Sequence, residues 1–194
     1  YNRLEWLEIY AAAALAGLVA VPVNFRLKSA EVAFIARDCG ARAFLAEAGF
    51  AGLVEEARGE MAVPADGFVA IGGAVAGWHD YEALIGRASE NRPEVLIAAT
   101  DPLALLYTSG TTGRPKGAIR SHGAMAMLSL VTALEMALTP RDRAMLVMPL
   151  CHANSFFFLG AFAWIGAPVA VHSRPSFDPE EALAGFSEAG STFT

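Results

Sequence analysis

The sequence has little of what would assign it to several common protein classes. It contains only two cysteines, Cys39 and Cys151, which lie far apart in apolar surroundings, so we expect free thiols in a reducing compartment and no disulfide framework. It has no basic cluster, and its net charge is −6, which disfavours nucleic acid as a partner. No metal site is predicted, because the histidines show no ligand spacing at positions 79, 122, 152 and 172.

Long uninterrupted hydrophobic runs are also missing, although 55% of the residues are hydrophobic and 18% are charged. The longest uncharged run, Cys151–Ser173, contains His152 and Asn154 and is broken by glycines and a proline. A membrane-spanning helix needs about 20 mostly apolar residues, so no transmembrane segment is expected. With no secretory signal pattern visible, we predict a cytoplasmic protein. A membrane-embedded protein is kept as an alternative.

Apolar segments with helical and strand spacing alternate along all 194 residues. Helices are predicted at residues 4–18, 29–39, 51–59, 80–88, 122–137, 154–165 and 179–189. Strands are predicted at 19–23, 41–46, 68–71, 103–107, 144–148, 168–172 and 191–194. Helix N-caps are predicted at Ser29, Asp80, Ser121 and Asp178. The alternation predicts an α/β fold in which parallel or mixed sheets are layered with helices. Both ends look cut, so we expect an incomplete portion of a larger domain.

Residues 107–117 read Tyr-Thr-Ser-Gly-Thr-Thr-Gly-Arg-Pro-Lys-Gly and directly follow a predicted buried strand. Glycines let the backbone approach a ligand closely, hydroxyl groups donate hydrogen bonds to anionic oxygens, and Lys116 adds a mobile positive charge. A strand that runs into such a loop, followed by a helix, predicts a polyphosphate site. The loop is not a Walker A loop, because it lacks the Gly-Lys-Ser/Thr sequence. The residues 72–77 also lack the spacing of a dinucleotide-binding loop.

The segment Tyr107–Gly117 resembles the phosphate-loop signature of the adenylate-forming superfamily, which includes acyl- and aryl-CoA synthetases, peptide-synthetase adenylation domains and beetle luciferases. Residues 5–27 and 29–46 are similar to two early helix–strand units of the family's large N-terminal domain. The sequence Pro22-Val-Asn-Phe-Arg-Leu27 is similar to that of acyl-CoA synthetases at this place, whereas adenylation domains usually show Pro-Ile-Asp-Pro there. The chain is thus identified as part of an acyl-CoA synthetase-like N-terminal domain, spanning residues 1–194 without the C-terminal catalytic subdomain.

The resemblance implies a role for each residue of the loop. Lys116 is the predicted catalytic residue, contacting the β- and γ-phosphates of ATP, and Pro115 shapes the exit of the loop. Tyr107 ends the strand rather than touching ligand. The residues predicted to bind the nucleotide are Thr108, Ser109, Gly110, Thr111, Thr112, Gly113, Lys116 and Gly117.

The segment Met148–His152 resembles the next family motif, in which an aromatic residue or histidine after Pro-Leu borders the acyl pocket. His152 is therefore a predicted pocket residue; a structural histidine at a strand end and a base for Cys151 are the alternatives. Adjacent residues of a strand point to opposite faces, which disfavours the Cys–His pair. The aromatic residues at 156, 157, 158, 162 and 164 either line the pocket or form core.

The resemblance implies an ATP-dependent acid–CoA ligase that uses ATP, Mg²⁺ and coenzyme A. A carboxylic acid attacks the α-phosphorus of ATP to give an acyl-adenylate, and coenzyme A then forms the thioester. The alternatives are an adenylation domain that loads a carrier protein and a truncated, non-catalytic fragment that binds nucleotide. We expect the fragment alone to be inactive. The sequence identifies neither the acid nor the oligomeric state.

Overall fold

Helices and short strands alternate along the chain, which confirms the predicted α/β fold class. The computed structural model describes residues 1–108, 115–174 and 176–194. The helices are α1 (Leu4–Ala16), α2 (Ser29–Asp38), α3 (Ala51–Arg58), α4 (Tyr81–Ile85), α5 (His122–Glu135), α6 (Ala153–Ile165) and α7 (Pro179–Ala189), with a 3-10 turn at Ala48–Phe50. The strands are β1 (Phe44–Glu47), β2 (Phe68–Ile71), β3 (His79–Asp80), β4 (Pro102–Thr108), β5 (Lys116–Ser121), β6 (Ala144–Leu146) and β7 (Val169–Val171).

The chain divides into two compact units that interleave in sequence. The first unit comprises Tyr1–Pro22, Pro93–Leu106 and Ala118–Thr194. The second comprises Val23–Arg92 and Tyr107–Gly117. The chain therefore passes from one unit to the other within β4 and returns within β5, so both ends of the predicted phosphate loop belong to the second unit.

The second unit is built on a parallel sheet with the strand order β1–β2–β3. All four residues of β2 are buried, as expected for the central strand of a helix-covered sheet. Helix α2 contributes Val32 and Ala36 to the core, and Phe68 of β2 lies in the same cluster. The guanidinium of Arg58 lies 4.2 Å from the centre of the Phe68 ring, so its charge covers the edge of this core.

The first unit contains the parallel pair β6–β7 and the packed helices α5 and α6. Phe162 and Ala161 of α6 are fully buried, and Leu150 joins them in one apolar cluster. A second cluster contains Tyr10 of α1, Ala104 of β4 and Phe156 of α6. The first cluster buries residues in the C-terminal half of α6 and the second buries a residue in its N-terminal half. This explains why the helix is apolar along most of its length.

Three of the four predicted N-caps are confirmed. The side chains of Asp80, Ser121 and Asp178 accept hydrogen bonds from backbone N–H groups in the first turns of α4, α5 and α7. The prediction for Ser29 is wrong by one residue, because Lys28 occupies the N-cap position and its N–H donates to Glu31 at 2.9 Å. The Glu31 carboxylate thus satisfies the backbone N–H of Lys28, while the Lys28 side chain makes no capping bond.

Two predicted strands, at 19–23 and 191–194, are reduced to single bridges. Residues 19–23 form no strand; Ala20 alone makes a parallel bridge, to Ala104. Val19 is 43% exposed, so this segment is not the buried strand that its apolar sequence predicts. At the end of the chain, Phe193 makes one parallel bridge to Ala144.

The largest departure from the predicted elements is strand β5. The sequence predicts a helix from residue 122 and no strand between it and the loop, whereas Lys116–Ser121 forms a strand that pairs with β4 before α5 begins at His122. The β5 sequence, Lys-Gly-Ala-Ile-Arg-Ser, does not alternate apolar and polar residues, and residues 116–120 are all exposed. The strand therefore has no periodic pattern by which the sequence could reveal it. Its conformation depends on hydrogen bonding to β4, which no local pattern encodes.

Candidate functional site

The predicted phosphate loop connects two neighbouring strands. Strand β4 is buried at Ala104 and Leu106 and becomes exposed at Thr108, the last residue before the loop. Lys116 and Gly117 begin β5 and are exposed. The structure thus brings the flanks of the loop together as the ends of paired strands. The central predicted residues lie outside the described residues; they are Ser109, Gly110, Thr111, Thr112 and Gly113.

The strand after the loop changes the physical argument for phosphate binding. The first helix after Lys116 is α5, which begins at His122. Six residue steps at about 3.3 Å each separate Lys116 from His122 by roughly 20 Å. The dipole of a helix acts mainly within its first turn, so α5 does not contribute it directly at Lys116. The prediction of phosphate binding therefore depends on the hydroxyl groups, the backbone N–H groups and the lysine of the loop.

The entrance to the loop is held by a hydrogen bond between distant parts of the second unit. The Tyr107 hydroxyl donates to Oδ2 of Asp38, the last residue of α2, at 2.5 Å. Burial and the Asp38 carboxylate raise the pKa of the Tyr107 hydroxyl, so that it remains a donor at neutral pH. Tyr107 therefore fixes the backbone one residue before Thr108, in agreement with the structural role predicted for it.

The second motif, Met148–His152, connects β6 to α6 and is held by buried side chains of the first unit. The Asn2 amide donates Nδ2–H to the Met148 carbonyl at 3.0 Å and accepts from the Leu150 N–H at 2.7 Å. The Ser155 hydroxyl also donates to the Met148 carbonyl, at 2.8 Å. Asn2 is 7% exposed and Ser155 is 2% exposed, so water competes little for these bonds.

Tyr10 of α1 supports the same segment from a second side. Its hydroxyl donates to the Leu150 carbonyl at 2.8 Å, and its ring centre lies 4.6 Å from that of Phe156. Burial and the nearby Cys151 raise the pKa of the Tyr10 hydroxyl well above its ordinary value. The hydroxyl is therefore protonated at neutral pH, and Leu150 is held at both its N–H and its carbonyl.

His152 occupies the N-cap position of α6, and its side chain is exposed. Its backbone N–H donates to the Pro149 carbonyl at 2.9 Å, and its own carbonyl accepts from the Phe156 N–H at 3.3 Å. The alternative of a structural histidine at a strand end does not fit, because β6 ends at Leu146 and His152 lies at the start of α6. Its backbone is fixed by the turn while its ring is available at the surface of the first unit.

The aromatic residues of α6 divide between core and surface. Phe156 and Phe162 are buried and belong to the two core clusters, so for them the core interpretation is confirmed. Phe157 is half-buried, with the Arg120 guanidinium 5.6 Å from its ring centre. Trp164 is 54% exposed and is not core.

The supports of the second motif were not identifiable from its own sequence. In the sequence, Tyr10 is indistinguishable from the other apolar positions of α1. Asn2 precedes this helix and lies about 150 residues from Leu150. A polar hydroxyl on an otherwise apolar helix face is the only local signal, because such a group needs a partner once it is buried.

Neither a metal-binding cluster nor a membrane helix is found in the described part of the chain. No group of three or more His, Cys, Asp or Glu side chains within residues 1–108, 115–174 and 176–194 is placed to hold a metal ion. Over the same ranges, none of the helices combines the length and apolarity that a bilayer span requires.

Comparison with protein families matches residues 1–194 to the family described as AMP-binding enzyme. The long-chain-fatty-acid–CoA ligase FadD13 of Mycobacterium tuberculosis is 32% identical over 180 residues, which cover 91% of this chain and 34% of FadD13. The anthranilate CoA ligase AuaEII, solved with anthranoyl-AMP, matches with a TM-score of 0.90 and 25% identity, over 99% of this chain and 38% of AuaEII.

A further solved structure is the o-succinylbenzoate coenzyme A synthetase MenE of Bacillus subtilis in complex with ATP and a magnesium ion. It matches with a TM-score of 0.78 and 25% identity, over 99% of this chain and 47% of that chain. The chain spans about a third of the length of the curated relatives it matches. The resemblance carried by the loop motif is confirmed over the whole sequence, and the chain belongs to the AMP-binding enzyme family.

Proposed function

We propose that the protein carrying this chain is an AMP-forming acid–CoA ligase and that residues 1–194 are the partial N-terminal, nucleotide-binding portion of it. The observation that carries the proposal is the Tyr107–Gly117 motif placed between paired strands in a chain of the AMP-binding enzyme family. The CoA ligases among the similar proteins support it.

The reaction has two displacement steps. A carboxylate oxygen of the acid attacks the α-phosphorus of ATP, the bond to the bridging oxygen breaks, and pyrophosphate leaves. The sulfur of coenzyme A then attacks the acyl carbon, AMP leaves with the bonding electron pair, and the thiol proton is released. In the first step negative charge grows on the departing β- and γ-phosphates, so the groups that stabilise this charge accelerate the reaction.

Lys116 is the residue to which we assign that stabilisation. Its exposed position at the start of β5, a strand paired with β4, leaves the ammonium group available to a triphosphate. Thr108, at the exposed end of β4, is proposed to hydrogen-bond the phosphates together with Ser109, Thr111 and Thr112. Hydrogen bonds to charged groups contribute about 1.5–3 kcal/mol each, so a few such donors hold a triphosphate firmly.

Magnesium is proposed to enter with ATP. Mg²⁺ is generally held by phosphate oxygens and one or two carboxylates and keeps several waters. Among the described residues no group of three or more His, Cys, Asp or Glu side chains is placed to hold it, and no step of the proposal is assigned to a metal-binding residue of this chain.

The acid is proposed to lie against the Met148–His152 segment of the first unit. Met148 is 49% exposed and His152 is exposed, whereas Leu150 between them is buried at 1%. The segment therefore presents one apolar and one imidazole side chain. The similar proteins are named for fatty, aryl and succinylbenzoyl acids, and all three classes stay open for this protein.

An adenylation domain that loads a carrier protein is the second candidate, and the CoA ligases among the relatives favour coenzyme A over it. Because the chain spans about a third of those relatives, we expect the isolated 194 residues to be inactive. The cytoplasmic location and the use of coenzyme A remain predictions.

The test is acid-dependent exchange of labelled pyrophosphate into ATP by the complete protein that carries this chain, assayed with a panel of fatty, aryl and small branched acids. Lys116→Ala is expected to lower the exchange rate by about 10²–10³, the effect of losing one transition-state donor. Lys28→Ala is the matched control, because Lys28 is the only other lysine in the sequence and is exposed at the start of α2.

If the Lys116→Ala variant exchanges pyrophosphate as fast as the Lys28→Ala variant, the role given to Lys116 is contradicted. Absence of exchange with every acid in the panel would contradict the proposed reaction. Release of AMP with a carrier protein but not with coenzyme A would favour the second candidate.

A further inference from the structure

The segment Met148–His152 is fixed by side-chain hydrogen bonds from residues outside it. Four bonds from three side chains converge on two of its residues. The Met148 carbonyl accepts from both Asn2 and Ser155, while the Leu150 N–H and carbonyl bond to Asn2 and Tyr10. Because Tyr10 lies on α1 and Ser155 lies on α6, these bonds fix the position of the segment relative to both helices.

The supports hold the side of the segment that is turned inward. The Leu150 side chain is 1% exposed and lies in the core cluster of the first unit. Its neighbours two positions away, Met148 and His152, are exposed. A shift of the Leu150 backbone would therefore move the two outward side chains while the core contact of Leu150 resisted the movement.

Tyr10 links this segment to α6 as well as to α1. Its ring packs against Phe156 of α6 at 4.6 Å and against Trp6 of its own helix at 5.6 Å between ring centres. At 5% exposure it has almost no contact with solvent. One side chain thus sets the distance between the Leu150 carbonyl and the first turn of the helix that His152 caps.

We propose that Asn2, Tyr10 and Ser155 are positioning residues for acid binding, holding the Met148–His152 backbone so that Met148 and His152 form one wall of the acid pocket. This inference rests on the proposed acid–CoA ligase function. None of the three supports is proposed to touch the acid; they act through the backbone of the segment. The phosphate loop belongs to the other unit, so the effect is assigned to the acid and not to ATP.

The test compares two conservative variants in the complete protein. Tyr10→Phe removes the hydroxyl that bonds to Leu150 and retains the ring between Trp6 and Phe156. Ser155→Ala removes one of the two donors to Met148. Each loses about one hydrogen bond, so the KM for the acid is expected to rise about three- to tenfold, with the KM for ATP within twofold of the wild-type value.

Tyr81→Phe is the matched control, because Tyr81 is a buried tyrosine of the second unit at 8% exposure and has no assigned role in acid binding. It should leave both KM values unchanged. The relative rates with long and short acids give a second readout, because Tyr10→Phe is expected to reduce the difference in rate between them. The melting temperature of each variant reports on loss of folding.

Two outcomes separate this inference from the function on which it rests. If the wild-type protein exchanges pyrophosphate with an acid but both variants keep the wild-type acid KM, or raise the KM for acid and ATP equally, the positioning role is overturned and the ligase function stands. If the wild-type protein shows no exchange with any acid, both are overturned.

Discussion

Tyr107–Gly117 and Met148–His152 are the two motif segments of this chain, and they are held in opposite ways. The first lies between paired strands whose loop-facing ends are exposed, and one described side chain at its entrance, Tyr107, is tied to Asp38. The second has little distinctive sequence, yet Asn2, Tyr10 and Ser155 hold its backbone from buried positions.

The difference follows from what each segment is proposed to contact. A loop that wraps a triphosphate uses its own glycines, hydroxyls and lysine, so its chemistry is written in consecutive residues. A segment that presents a wall to an acid needs a fixed position more than particular atoms. That position is set by residues elsewhere in the chain, and the motif itself carries little of the information.

The largest change in stability is expected in the first unit, which holds the second segment, where α5 and α6 pack closely. A Cβ added at Gly160 of α6 would overlap Oγ of Ser129 on α5 while lying 3.6 Å from its Cβ. Gly160→Ala is therefore expected to lower the free energy of unfolding by about 1–3 kcal/mol, although alanine favours a helix by up to about 1 kcal/mol. Denaturant unfolding of the complete protein measures it.

The double variant Ser129→Ala/Gly160→Ala serves as the control, because removing Oγ leaves an ordinary contact at 3.6 Å. It should recover most of the lost stability. If the double variant is as unstable as Gly160→Ala alone, the contact with Ser129 is not the cause.

A smaller effect is expected at the entrance of the first segment. Tyr107→Phe removes the donor to Asp38. The bond is to a charged group but lies near the surface, so we expect the KM for ATP to rise about fivefold with the KM for the acid unchanged. Steady-state kinetics of the two variants, measured side by side, should show that Tyr107→Phe raises the KM for ATP and that Tyr10→Phe raises the KM for the acid. Both variants raising the same KM would erase the distinction between the two segments.

The smallest effect concerns the turn that leads into β6. Hydrogen bonds from the Thr139 backbone and side chain and from Thr192 hold the pKa of Asp142 below its ordinary value. A carboxylate with a depressed pKa in the folded state stabilises the fold above its unfolded pKa and loses that contribution as the pH falls through the folded pKa. The protein should therefore lose this contribution in acid.

Asp142→Asn gives the corresponding measurement. The wild-type protein should be slightly more stable than Asp142→Asn at pH 7, and the difference between their unfolding midpoints should shrink as the pH falls below the ordinary pKa of an aspartate. A difference that stays constant with pH would show that the charge of Asp142 contributes nothing through these bonds.

The elements that the sequence predicted well are those with local signals. The helices capped by Asp80, Ser121 and Asp178 begin where predicted, because each cap is a short-range hydrogen bond. Strand β2, apolar at every position, was predicted with its observed bounds. Strand β5 was missed and residues 19–23 were overpredicted, since pairing with β4 decided both.

For the site, the sequence alone supplied the candidate residues, which stay predictions: Lys116 with its hydroxyl-rich loop, and His152 after Pro-Leu. The loop residues could be predicted because the groups proposed to bind a triphosphate lie within one short stretch of the chain. How the Met148–His152 backbone is held depends on the tertiary fold, because Asn2 and Tyr10 bond to it from more than 130 positions away in sequence. Buried polar groups find partners wherever packing brings them together, and a linear sequence does not state those distances.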